Sequence, residues 1–373
     1  MKILFFVGSM NAGGAERVAA ALSNAWVQEG HEVCLVPTFL GTTESFYELD
    51  QRVQFRPLKH EMGWFPPFLA PVRKWRALRQ VYKNTQPDVI VSFLTYVNGD
   101  VLIALKGVRT PIMGWERTQP VVSQSADARL KKWRSKLYPR ATRVVVQTED
   151  AAEAFAKTEP LLGDIAVIAN PIAPTLMEHP LASQVEKSGP CQLVAMGRLV
   201  PAKQFDQLVQ AFAMVAESFP DWTLHIYGEG PERAKLEQRI EVAGLKDRVF
   251  LPGKTSAPWQ VLSEAQLFVL TSAYEGFPNV LLEAMTLGLP CITVNCPSGP
   301  AELSNQGHDA VLIPLDNPQA LEQALSELMS DSRLRGVLGR RAATSVRERF
   351  SMDQVLGLWD RVFQQAGVKR TKG

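Results

Sequence analysis

Two carboxylates, Glu275 and Glu283, stand eight positions apart in the stretch YEGFPNVLLEAM, with a Gly-Phe-Pro-Asn turn between them. Gly276 and Pro278 cannot both sit inside a helix, so Pro278 is expected in a first helical turn, leaving the amides of Gly276, Phe277, Pro278's neighbours and Asn279 as an anion site. At a rise of ~1.5 Å per residue the carboxylates would lie roughly 8 to 12 Å apart. That is too far for one shared proton, but it leaves room for a diphosphate at the helix start, with hydroxyls of a ribose and a sugar donating to the acids on either side. A glutamate near a helix start also complements the dipole, and one inside a helix often faces water. Glu283, however, follows Val-Leu-Leu and precedes Ala-Met, where an unpaired charge would be costly.

A second constellation is MGRLVPAKQFDQL, in which an apolar run ends at Gly197-Arg198 and Lys203 follows near a helix start. A guanidinium fork and an ammonium point charge beside a strand end suit a diphosphate, although an isolated pair of cations is more often solvated surface. A third is GSMNAGGAER, where Gly8 ends a strand and Gly13-Gly14 opens a helix. Bare glycines there let amides approach an anion. The spacing is not Gly-x-Gly-x-x-Gly, so a phosphate- or sugar-facing loop and a plain strand-to-helix turn both remain open.

The elements that must position these groups form a repeated βαβ pattern. KILFFVG, HEVCLVPTF, PDVIVSFL and ATRVVVQT read as strands, with GAERVAAALSNAWVQEG as the first intervening helix. The pattern restarts after the polar stretch 178–190 with CQLVAMG, TLHIYGEG, RVFLPG, LFVLTS, PCITVN and AVLIP. The 373 residues therefore read as two tandem doubly wound α/β domains, 1–170 and 171–350, with VIANPIAP as the hinge. Open parallel sheets bind ligands at the carboxyl ends of their strands, so two facing domains imply a cleft. The terminal segment FSMDQVLGLWDRVFQQAG has helical spacing.

Composition is that of a soluble globular protein, with 46% hydrophobic and 21% charged residues. Cys34, Cys191, Cys291 and Cys296 form neither a disulfide framework nor a metal-ligand spacing, which fits a reducing compartment. The opening MKILFFVGSM is followed by polar NAGGAER and reads as a strand rather than a secretory leader, and no window suggests a transmembrane helix. The net charge of +2 conceals an asymmetry: from Arg52 to Arg143 there are 18 Lys and Arg against 5 Asp and Glu. Within it Trp64, Phe65, Phe68 and Trp75 interleave with Arg73, Lys74, Arg76, Arg79 and Lys83, and RLKKWRSKLYPR follows. Aromatic and basic residues in amphipathic segments suit an anionic membrane surface or an acceptor diphosphate; a solvated helix face is the plainer alternative. No nucleic-acid recognition motif accompanies the charge.

With GRL plus lysine, YGEGPER, RVFLPG and Glu-x7-Glu in order, the chain resembles the retaining glycosyltransferases of family 4, which have the GT-B fold of two Rossmann-like domains facing a cleft. The match is strongest from Cys191 to Asp309, and the GGAER of Gly13 to Arg17 resembles bacterial members acting on polyprenyl-diphosphate-linked oligosaccharides. The resemblance implies that Glu283 binds the donor ribose, Glu275 the transferred sugar, Arg198 and Lys203 the diphosphate, and Gly276, Phe277 and Pro278 the phosphates and sugar through backbone. Arg248, Val249 and Gly253 would hold the base, with uridine as the expected base. Asn279 and Asn11 would reach the sugar, a hexose or N-acetylhexosamine. The family also implies a terminal helix, residues 351–373, crossing back to the first domain, front-face transfer with retention, no cofactor and no metal; no Asp-x-Asp site is evident. Where many members carry a histidine, PIMGWERTQP holds Arg117, which would steady departing phosphate or acceptor diphosphate. The expected setting is cytoplasmic, peripheral on the inner face of the cell membrane. Competing readings are a nucleotide-sugar epimerase of the same fold, a nicotinamide-dependent oxidoreductase, which would want an acid after VCLVPTFLG, and a non-catalytic binding module.

Overall fold

A computed structural model describes residues 1–62, 70–117, 128–182 and 189–368. The chain divides into two compact units, one of residues 1–171 with 352–373 and one of residues 172–351.

The first unit is built on a seven-stranded parallel sheet in the order β3-β2-β1-β4-β5-β6-β7. Its strands are β1 (Lys2–Val7), β2 (Glu32–Pro37), β3 (Gln54–Phe55), β4 (Val89–Phe93), β5 (Ile112–Trp115), β6 (Arg143–Val146) and β7 (Ile165–Val167). A parallel sheet buried on both faces demands strands apolar on both sides. In β1, Ile3, Phe5 and Val7 enter one core and Leu4 and Phe6 the other. Helices Ala70–Thr85, Thr95–Ala104 and Ala128–Leu137 cover the second face. Helix Met352–Gln365 packs on the first, where Trp359 meets Trp26 and Trp115 at ring centroid distances of 5.9 and 4.8 Å. Each such edge-on aromatic pair adds ~1 kcal/mol beyond its buried area, so this cluster binds the terminal helix into the first unit.

The second unit holds a six-stranded parallel sheet in the order β10-β9-β8-β11-β12-β13. Its strands are β8 (Cys191–Met196), β9 (Trp222–Tyr227), β10 (Val249–Gly253), β11 (Leu267–Leu270), β12 (Cys291–Asn295) and β13 (Val311–Pro314). Both sheets reverse their strand order beside the first strand of the unit, between β1 and β4 and between β8 and β11. At such a point two loops leave in opposite directions and a crevice opens at the carboxyl edge. No described helix is long and apolar enough to cross a membrane.

Candidate active site

In the second unit the reversal brings the loop after β8 against the loop after β11. Ala273 N–H donates to Ala202 O at 2.8 Å, and Thr271 Oγ1 donates to Lys203 O at 2.8 Å. Lys203 crosses the face of Gly197, where an added Cβ would lie 3.3 Å from its Cε, and its Nζ reaches Glu275 Oε1 at 2.5 Å. Ser272 Oγ donates to the same oxygen at 2.7 Å. Glu275 Oε2 accepts from no described group, and a lysine ammonium has two further donors. The ion pair is mostly withdrawn from water, with side-chain exposures of 22% and 12%. Arg198 is exposed and makes no ion pair with any described residue.

The loop is held from the other side by YGEGPER. Gly197 N–H donates to Tyr227 O and Leu199 N–H to Glu229 O, each at 3.0 Å. Only glycine fits at position 228: its φ is +143° and a Cβ would stand 1.8 Å from Gly197 O. At Gly230 a Cβ would meet Leu199 O at 2.3 Å.

The turn Gly276–Pro278 leads into helix Asn279–Thr286, with Pro278 as its N-cap rather than inside its first turn. Glu275 N–H donates to Pro297 O at 3.1 Å, and Asn279 N–H turns back to Phe277 O at 2.9 Å, so Asn279 does not offer its amide forward. The amides of Gly276, Phe277 and Val280 donate to no described group and form the positive end of this helix. Phe277's own ring is buried, 5.9 Å from that of Phe350, so its contribution is its backbone. Glu283 is 8% exposed and accepts from Trp259 Nε1 at 3.3 Å, which answers how a carboxylate survives in that apolar run. Ser272 and Trp259 carry no sequence signal of their own.

Arg248 requires a correction. It precedes β10 at the amino edge of the sheet, where its guanidinium donates to Phe219 O at 2.7 Å and to Trp222 O at 2.6 and 2.8 Å, a structural clasp facing away from the strand ends that carry the other residues. Val249 is buried in the core at the same edge. Gly253, by contrast, ends β10 with φ +86° and accepts from Gly228 N–H at 2.8 Å.

At the carboxyl edge of the first sheet, Gly13 N–H donates to Tyr47 Oη at 3.0 Å while that hydroxyl donates to Gly13 O at 2.8 Å. The Gly13 amide is thus occupied and not presented to an anion. A Cβ there would lie 2.3 Å from Glu16 Oε2, so the glycine makes room for Glu16, whose Oε1 accepts from Ser9 Oγ at 2.6 Å. Gly14 opens helix Gly14–Gln28, and Asn11 is exposed in the loop before it.

Arg117 follows β5. Its Nη1 donates to Asn170 Oδ1 at 2.8 Å, an atom that also accepts from Gln147 Nε2 at 2.6 Å, and its guanidinium lies 5.1 Å from the Phe93 ring centre. Burial lowers its pKa to about 10, opposed by the charge of Glu16. Beside it Glu116 is 2% exposed and accepts from Tyr138 Oη, from Thr95 Oγ1 at 2.9 Å and from Asn98 Nδ2 at 3.4 Å. Burial pushes its carboxyl up to about 7, against the hydrogen bond from Thr95, the charge of Arg134 and the bond from Asn98. Neither this polar network nor Asn170 was marked by a motif.

Several cations of the basic stretch have structural partners. Lys74 pairs with Asp100 at 2.7 Å, and Trp75 Nε1 donates to Asp100 at 3.0 Å. Arg79 donates to Ala104 O at 3.0 Å and Arg73 to Met62 O at 3.4 Å, while Arg76 is exposed. Arg134 forms a buried ion pair with Glu159 at 2.8 Å. Trp64, Phe65 and Phe68 lie outside the described residues.

Two family models match the chain: Glycosyltransferase Family 4 over residues 12–176 and Glycosyl transferases group 1 over residues 181–345. Among curated relatives, an exopolysaccharide phosphotransferase of Streptomyces coelicolor is 27% identical over 99% of this chain, which spans 41% of that protein's length. A second, from Campylobacter jejuni, is 27% identical over 96% of this chain and 97% of its own; it is an α-1,4-N-acetyl-D-galactosaminyltransferase acting on a GalNAc-containing diNAcBac-PP-undecaprenol. Among solved structures, sucrose-phosphate synthase from Thermosynechococcus elongatus shares the fold with a TM-score of 0.82 at 18% identity, covering 98% of each chain.

Proposed function

The chain belongs to the family 4 type of GT-B glycosyltransferases, and on that premise we propose that it moves a hexose or N-acetylhexosamine, with retention, from a UDP-sugar to a polyprenyl-diphosphate-linked saccharide in glycan or polysaccharide synthesis. The observation that carries this reading is the junction at the reversal of the second sheet, whose two loops bring together the Lys203–Glu275 pair, Arg198, which pairs with no described acid, and the open amides of Gly276, Phe277 and Val280.

A leaving nucleoside diphosphate gains negative charge at the oxygen it takes with it. Fixed positive groups aimed there lower the barrier because they need no reorganisation as the charge develops. Arg198 supplies a fork, Lys203 the two donors that Glu275 leaves over, and the helix start its partial positive charge. Together they perform the charge neutralisation for which other transferases employ a divalent ion, so activity is expected to persist in a chelator. Glu275, steadied by Lys203 and Ser272, keeps Oε2 for a hydroxyl of the transferred sugar. Glu283, oriented by Trp259, takes the ribose hydroxyls. In the retaining step the bond from the anomeric carbon to the diphosphate breaks, the acceptor oxygen bonds on the same face, and the acceptor proton passes to the leaving phosphate.

In the first unit Arg117, held on Phe93 by Asn170, offers its charge to the acceptor diphosphate. Helices Ala70–Thr85 and Ala128–Leu137, with exposed Arg76, Lys83, Lys132, Trp133 and Lys136, form a face suited to an anionic membrane. Each basic residue near such a surface contributes ~1 kcal/mol. On this reading the enzyme works peripherally on the cytoplasmic leaflet.

Incubation with a panel of nucleotide sugars, with and without a lipid-diphosphate saccharide, tests the reading. Nucleotide release should require both a UDP-sugar and the acceptor. Release indifferent to the acceptor would overturn it. An Arg117→Ala variant with full turnover and unchanged acceptor affinity would remove Arg117 from the acceptor site.

A further inference from the structure

The amino edge of the first sheet, at the opposite end of its strands from Arg117, carries a cavity of about 340 Å³ that the transfer reaction leaves unused. Buried Leu102, Leu105 and Ile112 line it together with the exposed cations Lys106, Arg109 and Arg140. No carboxylate lines it. None of the three cations pairs with a described acid, in contrast to Lys74 and Arg134 on the neighbouring helices.

A structural duty for these charges would be to satisfy the carbonyls that end helix Thr95–Ala104. Arg79 already does so, donating to Ala104 O at 3.0 Å and Lys106 O at 3.3 Å. Three like charges lining one concave site repel each other, and an anion bound there lowers that cost. A guanidinium fork and an ammonium favour phosphate oxygens in particular. The apolar lining suits the uncharged remainder of a phosphate ester.

We propose that the Lys106–Arg109–Arg140 cavity is a binding site for a phosphate group, distinct from the donor and acceptor sites. Two sources carry that chemistry: the head group of an anionic phospholipid, and a soluble phosphate or phosphate ester. For the lipid source the inference rests on the membrane reading above. Arg79 and Tyr82, whose hydroxyl lies 3.1 Å from Thr110 Oγ1, tie the cavity rim to helix Ala70–Thr85, so a membrane contacted by that helix would have this cavity beside it.

The test uses the full chain and two triple variants. One is Lys106→Gln/Arg109→Gln/Arg140→Gln; the other, a charge-matched control in the second unit, is Lys246→Gln/Arg333→Gln/Arg340→Gln, all at exposed positions. In the first arm inorganic phosphate is titrated at constant ionic strength and followed by the amide resonances of Gly107 and Val108. Saturable shifts in the wild type, weakened about tenfold or more in the cavity variant and unchanged in the control, support the site. In the second arm the three proteins are sedimented with phosphatidylcholine vesicles with and without phosphatidylglycerol. A larger loss of binding in the cavity variant than in the control assigns the lipid head group, and equal losses alongside saturable phosphate binding assign the soluble source. No saturable phosphate binding together with equal vesicle losses overturns the proposal. The phosphate arm decides even if the protein ignores vesicles altogether, so failure of the membrane reading and failure of this site are separable.

Discussion

Replacing Glu116 by glutamine should stabilise the first unit at alkaline pH and leave it nearly unchanged in acid. The carboxyl is buried among Thr95, Asn98 and Tyr138, and burial raises its pKa to about 7 from an ordinary 4.5. Between those two values the folded chain holds a proton that the unfolded chain has released. Stability therefore falls as pH rises through this window and levels off above it. At ~1.4 kcal/mol for each tenfold change in proton concentration, the loss is roughly 3 kcal/mol by pH 8. Glutamine keeps the shape and one carbonyl oxygen for the Tyr138 hydroxyl. Its amide can face Thr95, whose hydroxyl accepts as readily as it donates. Hydrogen exchange of peptides spanning β4 and β5, corrected for intrinsic rates, reads the local stability at pH 5 and pH 8. The variant should exceed wild type by roughly 3 kcal/mol at pH 8 and by little at pH 5. A difference between the two proteins that does not change with pH would refute the buried-acid account.

Other outcomes follow from the site and its supports. Glu275→Ala should slow transfer about a hundredfold with donor affinity little changed, whereas Glu283→Ala should chiefly weaken donor binding, by about tenfold or more; steady-state kinetics with calorimetric donor binding would show whether the pattern is reversed. Gly228→Ala places a Cβ 1.8 Å from Gly197 O, so melting should reveal a loss of ~2 kcal/mol or more together with weaker donor binding. Full stability in that variant would mean the YGEGPER loop is not clamping the loop after β8. Glu159→Ala strands the buried Arg134 cation and should cost ~3 to 5 kcal/mol, while Arg134→Met with Glu159→Leu should recover most of it. A double variant as unstable as the single one in urea unfolding would show that the charge pair itself holds this helix.

Repetition of apolar runs and helical spacing revealed two α/β units, because a strand buried on both faces must be apolar throughout, as Ile3 to Val7 are. The short strands β3 and β7, of two and three residues, carry no period to read, and β5 is interrupted by Gly114. For Glu275, Lys203 and the Gly-Phe-Pro turn, local chemistry was informative: a proline and a glycine between two acids dictate a helix start wherever the chain lies. Arg248 misled because RVFLPG names a strand without saying which end of it meets a ligand.

Sequence alone therefore determined the doubly wound class, the cations and acids on which the proposed donor site draws, and the start of the helix between the two acids. Only tertiary structure decided that Lys203 pairs with Glu275 seventy-two positions away, that Trp259 makes Glu283 tolerable, that Tyr47 occupies Gly13, and that Asn170 holds Arg117. The physical reason is common to all four. A side chain's chemical capacity is local, but its hydrogen-bond partner and its dielectric surroundings are set by which strands the sheet places side by side.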